Sequence, residues 1–135
     1  MTSPSRHFTP AEVEALIPRL TAIMERVRRA HGDAVAIRER LRAEQQRINF
    51  SGGGVVDQAQ WRQDTKTAER AMQAVQKGLE EIQELGGVPK DLGLGLVDFP
   101  HLRRGEEVHL CWKYGEQAIG FWHGLDEGYA ARKPL

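Results

Sequence analysis

"FTPAEVEALIPRLTAIMERV", residues 8–27, decides the architecture of this chain. Thr9 is placed as an N-cap, Pro10 as the first helical residue and Glu12 as the return arm of a capping box. Phe8 and Val13 are spaced as the two halves of a hydrophobic staple. From Val13 onward the apolar residues recur by sevens, through Leu20, Val27, Ala34, Leu41 and Ile48. Leu16, Ile23, Ala30 and Ile37 fill a second line that ends at Glu44. That is the seam of a long helix packed along another. Its expected span is residues 9–49, with a bend at Pro18 and a weak point at Gly32.

"NFSGGGVVD", residues 49–57, stops the helix, because three consecutive glycines have no use inside one. A second helix is expected over residues 57–85, capped by Asp57 and closed by the glycines at 86–87. Its apolar line is Trp61, Thr65, Ala68, Met72, Val75, Leu79 and Ile82. At 1.5 Å per residue the two helices run on the order of 45–60 Å. The pattern therefore predicts a long antiparallel, coiled-coil-like helical hairpin. A pair this long leaves apolar surface uncovered, and a second copy of the chain is the expected partner, giving a homodimer.

After residue 93 the period changes from helical to alternating. "GLVDFP" (95–100), "EVHLCWK" (107–113) and "QAIGFWH" (117–123) read as strands. The fold class expected is α+β in a single domain, residues 1–135, with a three-stranded antiparallel meander and folded-back tail over 94–135. Val108, Leu110 and Trp112 share one strand face, with His109, Cys111 and Lys113 on the other. A tight turn at "KYGEQ" would set the first three opposite Ile119, Phe121 and His123.

The totals exclude several classes. The chain has 135 residues with 19 basic and 19 acidic side chains, so no net charge draws it to nucleic acid or anionic lipid. One cysteine excludes a disulfide framework and a multi-cysteine zinc site. No apolar run is long enough for a membrane span, and the first residues have no signal-peptide core, so a cytoplasmic protein is expected. The arginines of the first helix, from Arg26 to Arg47, are interleaved with Glu25, Asp33, Glu39 and Glu44 and read as a solvated face. No nucleic-acid-binding motif accompanies them.

Chemistry-bearing side chains concentrate in the last 40 residues. In "WHGLDEG" (122–128), His123 and Asp126 stand three apart, a spacing that lets a carboxylate hold one imidazole nitrogen while the other meets a ligand. Asp98 is a lone acid inside a strand, between Val97 and Phe99 and pointing away from both. Arg103, Arg104, Arg132 and Lys133, with His101 and His123, could rim a pocket for a small anion such as a carboxylate or phosphate. A divalent metal would draw on His101, His109, His123, Asp98, Asp126 and Cys111, although no HxH, HExxH or CxxC spacing links them. His109 and Cys111 share a strand face at i and i+2, but a nucleophilic cysteine also needs a basic, open setting, and an inert thiol is the plainer reading. Gly93 and Gly95 lack the strand–turn–helix context of a dinucleotide site. No cofactor is called for and no complete catalytic set is visible.

"FTPAEVEALIPRL", "KDLGLGLVDFP" and "EVHLCWKYGEQAIGFWHGLDEGYAARKPL" together resemble a small bacterial family catalogued as domain of unknown function number 2203. The carrying positions run from Gly95 to Pro100, then Leu110 to Trp112, Gly115, Glu116, Trp122, His123, Asp126, Gly128, Arg132, Pro134 and Leu135, while His109 stands where an aromatic is expected. The resemblance implies the fold and brings no activity or catalytic residue with it. Two functions follow from the residues. One is a non-enzymatic assembly or interaction module dimerising through its helices, with a protein partner to be identified. The other is a small-anion or metal-binding protein, with an enzyme as one form of it, its site formed by His123, Asp126, Arg132, Asp98 and His101.

Overall fold

The computed structural model describes residues 6–50 and 57–135. The glycine turn at 52–54 lies outside the described residues. Helix α1 spans Pro10–Phe50 and runs unbroken through Pro18. Its start is the capping box: Glu12 N donates to Thr9 Oγ1 at 3.2 Å and Thr9 N donates to Glu12 Oε1 at 2.9 Å. Helix α2 spans Gln58–Glu84, with Asp57 accepting from Gln60 N at 3.0 Å. Both helices fall within one residue of the spans expected from the sequence.

The helices pack on each other and run in opposite directions: Arg26 pairs with Glu81 and Arg40 with Asp64. On α1 the first line of the stripe is buried at Val13, Leu20, Val27 and Ala34, joined by Ile17, Ile23, Met24 and Ile37. On α2 the seam differs from the one the apolar residues suggest. The buried positions are Asp64, Ala71, Val75, Gly78 and Ile82, while Met72 is 43% exposed. Small residues define the true seam because they let the backbones close. A Cβ on Gly78 would sit 2.1 Å from Val27 Cγ2. Asp64 is tolerated there because Arg40 and Gln60 both bond its carboxylate.

The sheet has five antiparallel strands, not three, in the order β1 (Val88–Asp91), β2 (Leu96–Arg103), β3 (Glu106–Lys113), β4 (Phe121–His123) and β5 (Lys133–Pro134). The two additional strands are the short edges. β1 carries Pro89 and its register shifts between Pro89 and Asp91, and β5 has only two residues, so neither has a period to read. The tail does fold back, as a 3-10 turn at Tyr129–Ala131 leading into β5.

One face of the sheet closes the core at the proximal end of the helices. Val97, Phe99, Leu110, Trp112 and Ile119 pack with Phe8, Val13, Ile17, Leu20, Val27 and Ile82. Phe8 N donates to Pro100 O at 2.7 Å, which holds the start of α1 against β2. Gly86 ends α2 at φ +100°, where any Cβ would also meet the Phe8 ring at 2.4 Å.

The pairing of β3 with β4 corrects the expected register. Leu110 lies opposite Trp122 and His109 opposite His123, one residue away from a tight-turn hairpin. His123 therefore leaves the apolar face and joins the face of His109 and Cys111. The cause is the connection over residues 114–120. Its Glu116 N donates to Lys113 O at 2.9 Å, and Ile119 N reaches Glu14 Oε1 on α1 at 3.0 Å. Ile119 is thus drawn into the core without belonging to the strand.

Candidate metal centre

The face of the sheet turned away from the helices is where a solvated, polar surface would be expected. Instead Asp98, Cys111 and His123 are 2%, 1% and 2% exposed. The alternation that points Val97 and Phe99 into the core points Asp98 outward, and its cross-strand partner is Cys111. The next pair along the same face of β3 is His109 with His123. Three adjacent strands thus converge four chemistry-bearing side chains in two neighbouring pairs.

Donor atoms of Asp98, Cys111 and His123 all lie within 4.8 Å of one another. His123 Nε2 is 3.0 Å from Asp98 Oδ2, and His109 Nδ1 is 3.6 Å from the same oxygen. The two imidazoles meet edge to face, with centroids 5.5 Å apart. His123 Nδ1 donates to Gly124 O at 2.9 Å, since a carbonyl can only accept. Its Nε2 faces the Asp98 carboxylate.

This geometry does not make His123 the base of a nucleophilic triad. Cysteine, histidine and aspartate lie together as in a nucleophilic triad, but both ring nitrogens of His123 are already engaged, one by Gly124 O and one by Asp98. None is left to take a proton from Cys111. Burial, reinforced by the charge of Asp98 and opposed by Arg132, pushes the Cys111 thiol up to about 11. In this state it is a neutral thiol at neutral pH.

What the arrangement leaves unfinished is more informative. The buried Asp98 carboxylate meets His123 Nε2 at 3.0 Å and His109 Nδ1 at 3.6 Å. His109 Nδ1 is buried without any hydrogen-bond partner, a deficit of about 1–3 kcal/mol. Burial holds His109 below the usual imidazole range, against the pull of Asp98.

Of the other residues singled out by sequence, Arg132 adjoins this group. It bonds both Glu116 oxygens at 3.3 and 3.0 Å, lies over the Phe121 and Tyr129 rings, and interacts with Cys111. His101 is on the opposite face, its Nδ1 bonded to Phe8 O at 2.6 Å. Asp126 is exposed, and the carboxylate that holds His123 is Asp98 instead. The expected basic rim does not assemble, because Arg103 and Lys133 stack on Trp122 while Arg132 goes to Glu116. His109 and Cys111 stand beside Asp98 because they share its face in the register. The spacing His109-x-Cys111, opposite a lone acid in the neighbouring strand, is the sequence signal that points to them.

The principal clefts open elsewhere, along the distal helices, at the β2–β3 turn and beside the end of α2. None of them is lined by Asp98, Cys111 or His123. Among the described residues no helix is long and apolar enough to cross a membrane.

The chain belongs to the family described as "Uncharacterized conserved protein (DUF2203)", whose profile matches residues 6–135. No curated protein and no solved structure matches it.

Proposed function

We propose that this member of the uncharacterised conserved family is a metal-binding protein that takes one divalent transition-metal ion on the outer face of its sheet. The observation that carries the reading is the buried donor set of Asp98, Cys111 and His123 on three adjacent strands, beside a buried His109 Nδ1 without a hydrogen-bond partner. His123 is oriented as a metal-ligating histidine is, with Nδ1–H fixed by a backbone carbonyl and Nε2 aimed at the other donors. A thiolate and imidazole set suits zinc, or cobalt in its place.

Charge supports a divalent ion. A carboxylate from Asp98 and a thiolate from Cys111, with neutral imidazole, offset the two charges of such an ion. A buried site that stays neutral avoids the cost of an uncompensated charge.

Native mass spectrometry with elemental analysis tests this. One zinc per chain is expected, removed by a chelator and absent from Cys111→Ser. A metal-free protein that takes up no zinc at micromolar concentration would refute the reading.

A second reading is favoured by the distal helices, where Leu41 and Ile48 continue the seven-residue spacing beyond the buried core and Phe50 is 92% exposed. Leu41 and Met72 line an open apolar groove with Glu69, and Arg38 and Arg42 adjoin Leu41 in α1, so two copies could pair with opposite charges across the seam. Light scattering then reports a dimer that Leu41→Glu with Met72→Glu converts to monomer, and a monomeric wild type removes this reading. Leu20, on the same seven-residue line, is fully buried in the chain's own core and takes no part in this pairing.

A further inference from the structure

Resting on the metal-binding reading, we infer that His109 is the fourth ligand, so that the centre is a closed tetrahedral site with no position for water or substrate. Three donors alone would describe a catalytic site, in which the fourth position belongs to solvent. The structure points the other way. His109 stands on the same face as the other donors, two residues before Cys111 and directly across from His123. Its Nδ1 is directed inward: the atom is buried, has no hydrogen-bond partner, and lies 3.6 Å from Asp98 Oδ2. The ring as a whole is 16% exposed, so the nitrogen could have been turned toward water and is not.

The four residues form a staggered row across three strands: Asp98 lies opposite Cys111, His109 stands two residues away on the same face of β3, and His123 lies opposite His109. Side chains paired in this way stand about 4.5–5.5 Å apart at Cβ. Donor atoms of Asp98, Cys111 and His123 already lie within 4.8 Å of one another, and His109 Nδ1, 3.6 Å from Asp98 Oδ2, would turn inward to reach the about 2.0–2.3 Å of a metal bond. None of the principal clefts is lined by Asp98, His109, Cys111 or His123. The role this assigns to the ion is to tie β2, β3 and β4 together, and the chemistry to expect from it is stabilisation, not hydrolysis.

Cobalt(II) is the probe. In the wild-type protein, cobalt should give the intense visible bands of a tetrahedral ion, together with a thiolate charge-transfer band from Cys111. His109→Ala should keep the charge-transfer band, weaken the visible bands and lower cobalt affinity roughly 10–100-fold, with added imidazole restoring the spectrum. His109→Gln, which preserves bulk at this partly exposed position, guards against loss of folding, and circular dichroism checks both variants. A His109→Ala spectrum and affinity equal to wild type would overturn the fourth-ligand assignment and leave the three-donor metal site standing. A wild-type protein that binds no cobalt would overturn the metal reading itself. Weak visible bands in a wild type that does bind cobalt would mean a five- or six-coordinate, water-bearing ion, and would also overturn the closed site.

Discussion

Zinc added to the metal-free protein raises its thermal midpoint by roughly 10 °C, and Cys111→Ser and His123→Ala abolish that rise. The size follows from linkage. An ion present at a hundred to a thousand times its dissociation constant stabilises the folded chain by about 3–4 kcal/mol. In a domain of this length each kcal/mol moves the midpoint by roughly 3–5 °C. The quantity to compare is the zinc-induced shift, not the absolute midpoint. His123→Ala also takes the 3.0 Å partner from the buried carboxylate of Asp98 and leaves it only His109 at 3.6 Å, which costs about 3–5 kcal/mol whether or not metal binds. Asp98→Asn separates the two effects, since it removes the charge and preserves the shape. It should unfold near the metal-free wild type and gain little from zinc. Differential scanning fluorimetry with and without chelator measures all four proteins. An equal zinc shift in wild type and Cys111→Ser would show that the ion binds somewhere else.

Trp112→Ala is the substitution expected to cost the fold most, about 3–5 kcal/mol. Trp112 is fully buried, sits among Phe99, Leu110 and the first turns of α1, and donates Nε1–H to Glu116 O at 3.0 Å. Removing the indole opens a cavity and frees the residue 114–120 connection, whose Glu116 also holds Arg132 beside Cys111. The loss should therefore appear twice, in a lower urea midpoint and in weaker metal uptake. Met72→Ala is the contrast. It is a large apolar residue on the line that the sequence alone would place in the core, but it is 43% exposed, and its loss should cost less than about 1 kcal/mol. Similar costs at the two positions would mean that α2 uses the seam its apolar residues suggest.

The helices were legible because their ends carry local signals: the Thr9 and Glu12 box, the Asp57 cap and the glycines at 86 and 87. The seam of α2 was not, because close approach depends on smallness as much as on apolarity. Gly78 and Ala71 carry that approach, and Asp64 is admitted by its hydrogen bonds. In the sheet, the alternation of β2 and β3 was readable, and it correctly sent Asp98 away from Val97 and Phe99. The edges β1 and β5 are too short and too proline-bearing to show a period. The placement of His123 turned on one residue of register. That register was set by a contact the sequence does not display, Ile119 N with Glu14 of α1, 105 residues away. Once the register moved, the expected Asp126 partner gave way to Asp98, and His109 and Cys111 came into reach.

The bond from Phe8 N to Pro100 O also bears on the order in which the molecule can be built. Every strand is bonded to its neighbour in the chain, and the two helices are consecutive, so most of the framework forms from segments close in sequence. Such contacts form early, because little chain entropy is lost in closing them. Phe8 and His101, which share a second bond, are separated by 93 residues. During synthesis from the ribosome the first turn of α1 must wait for β2 before its aromatic ring has a wall to lie against. Until then Phe8 is an exposed apolar group beside an otherwise complete helix start, and that interval is when the nascent chain is most open to a chaperone.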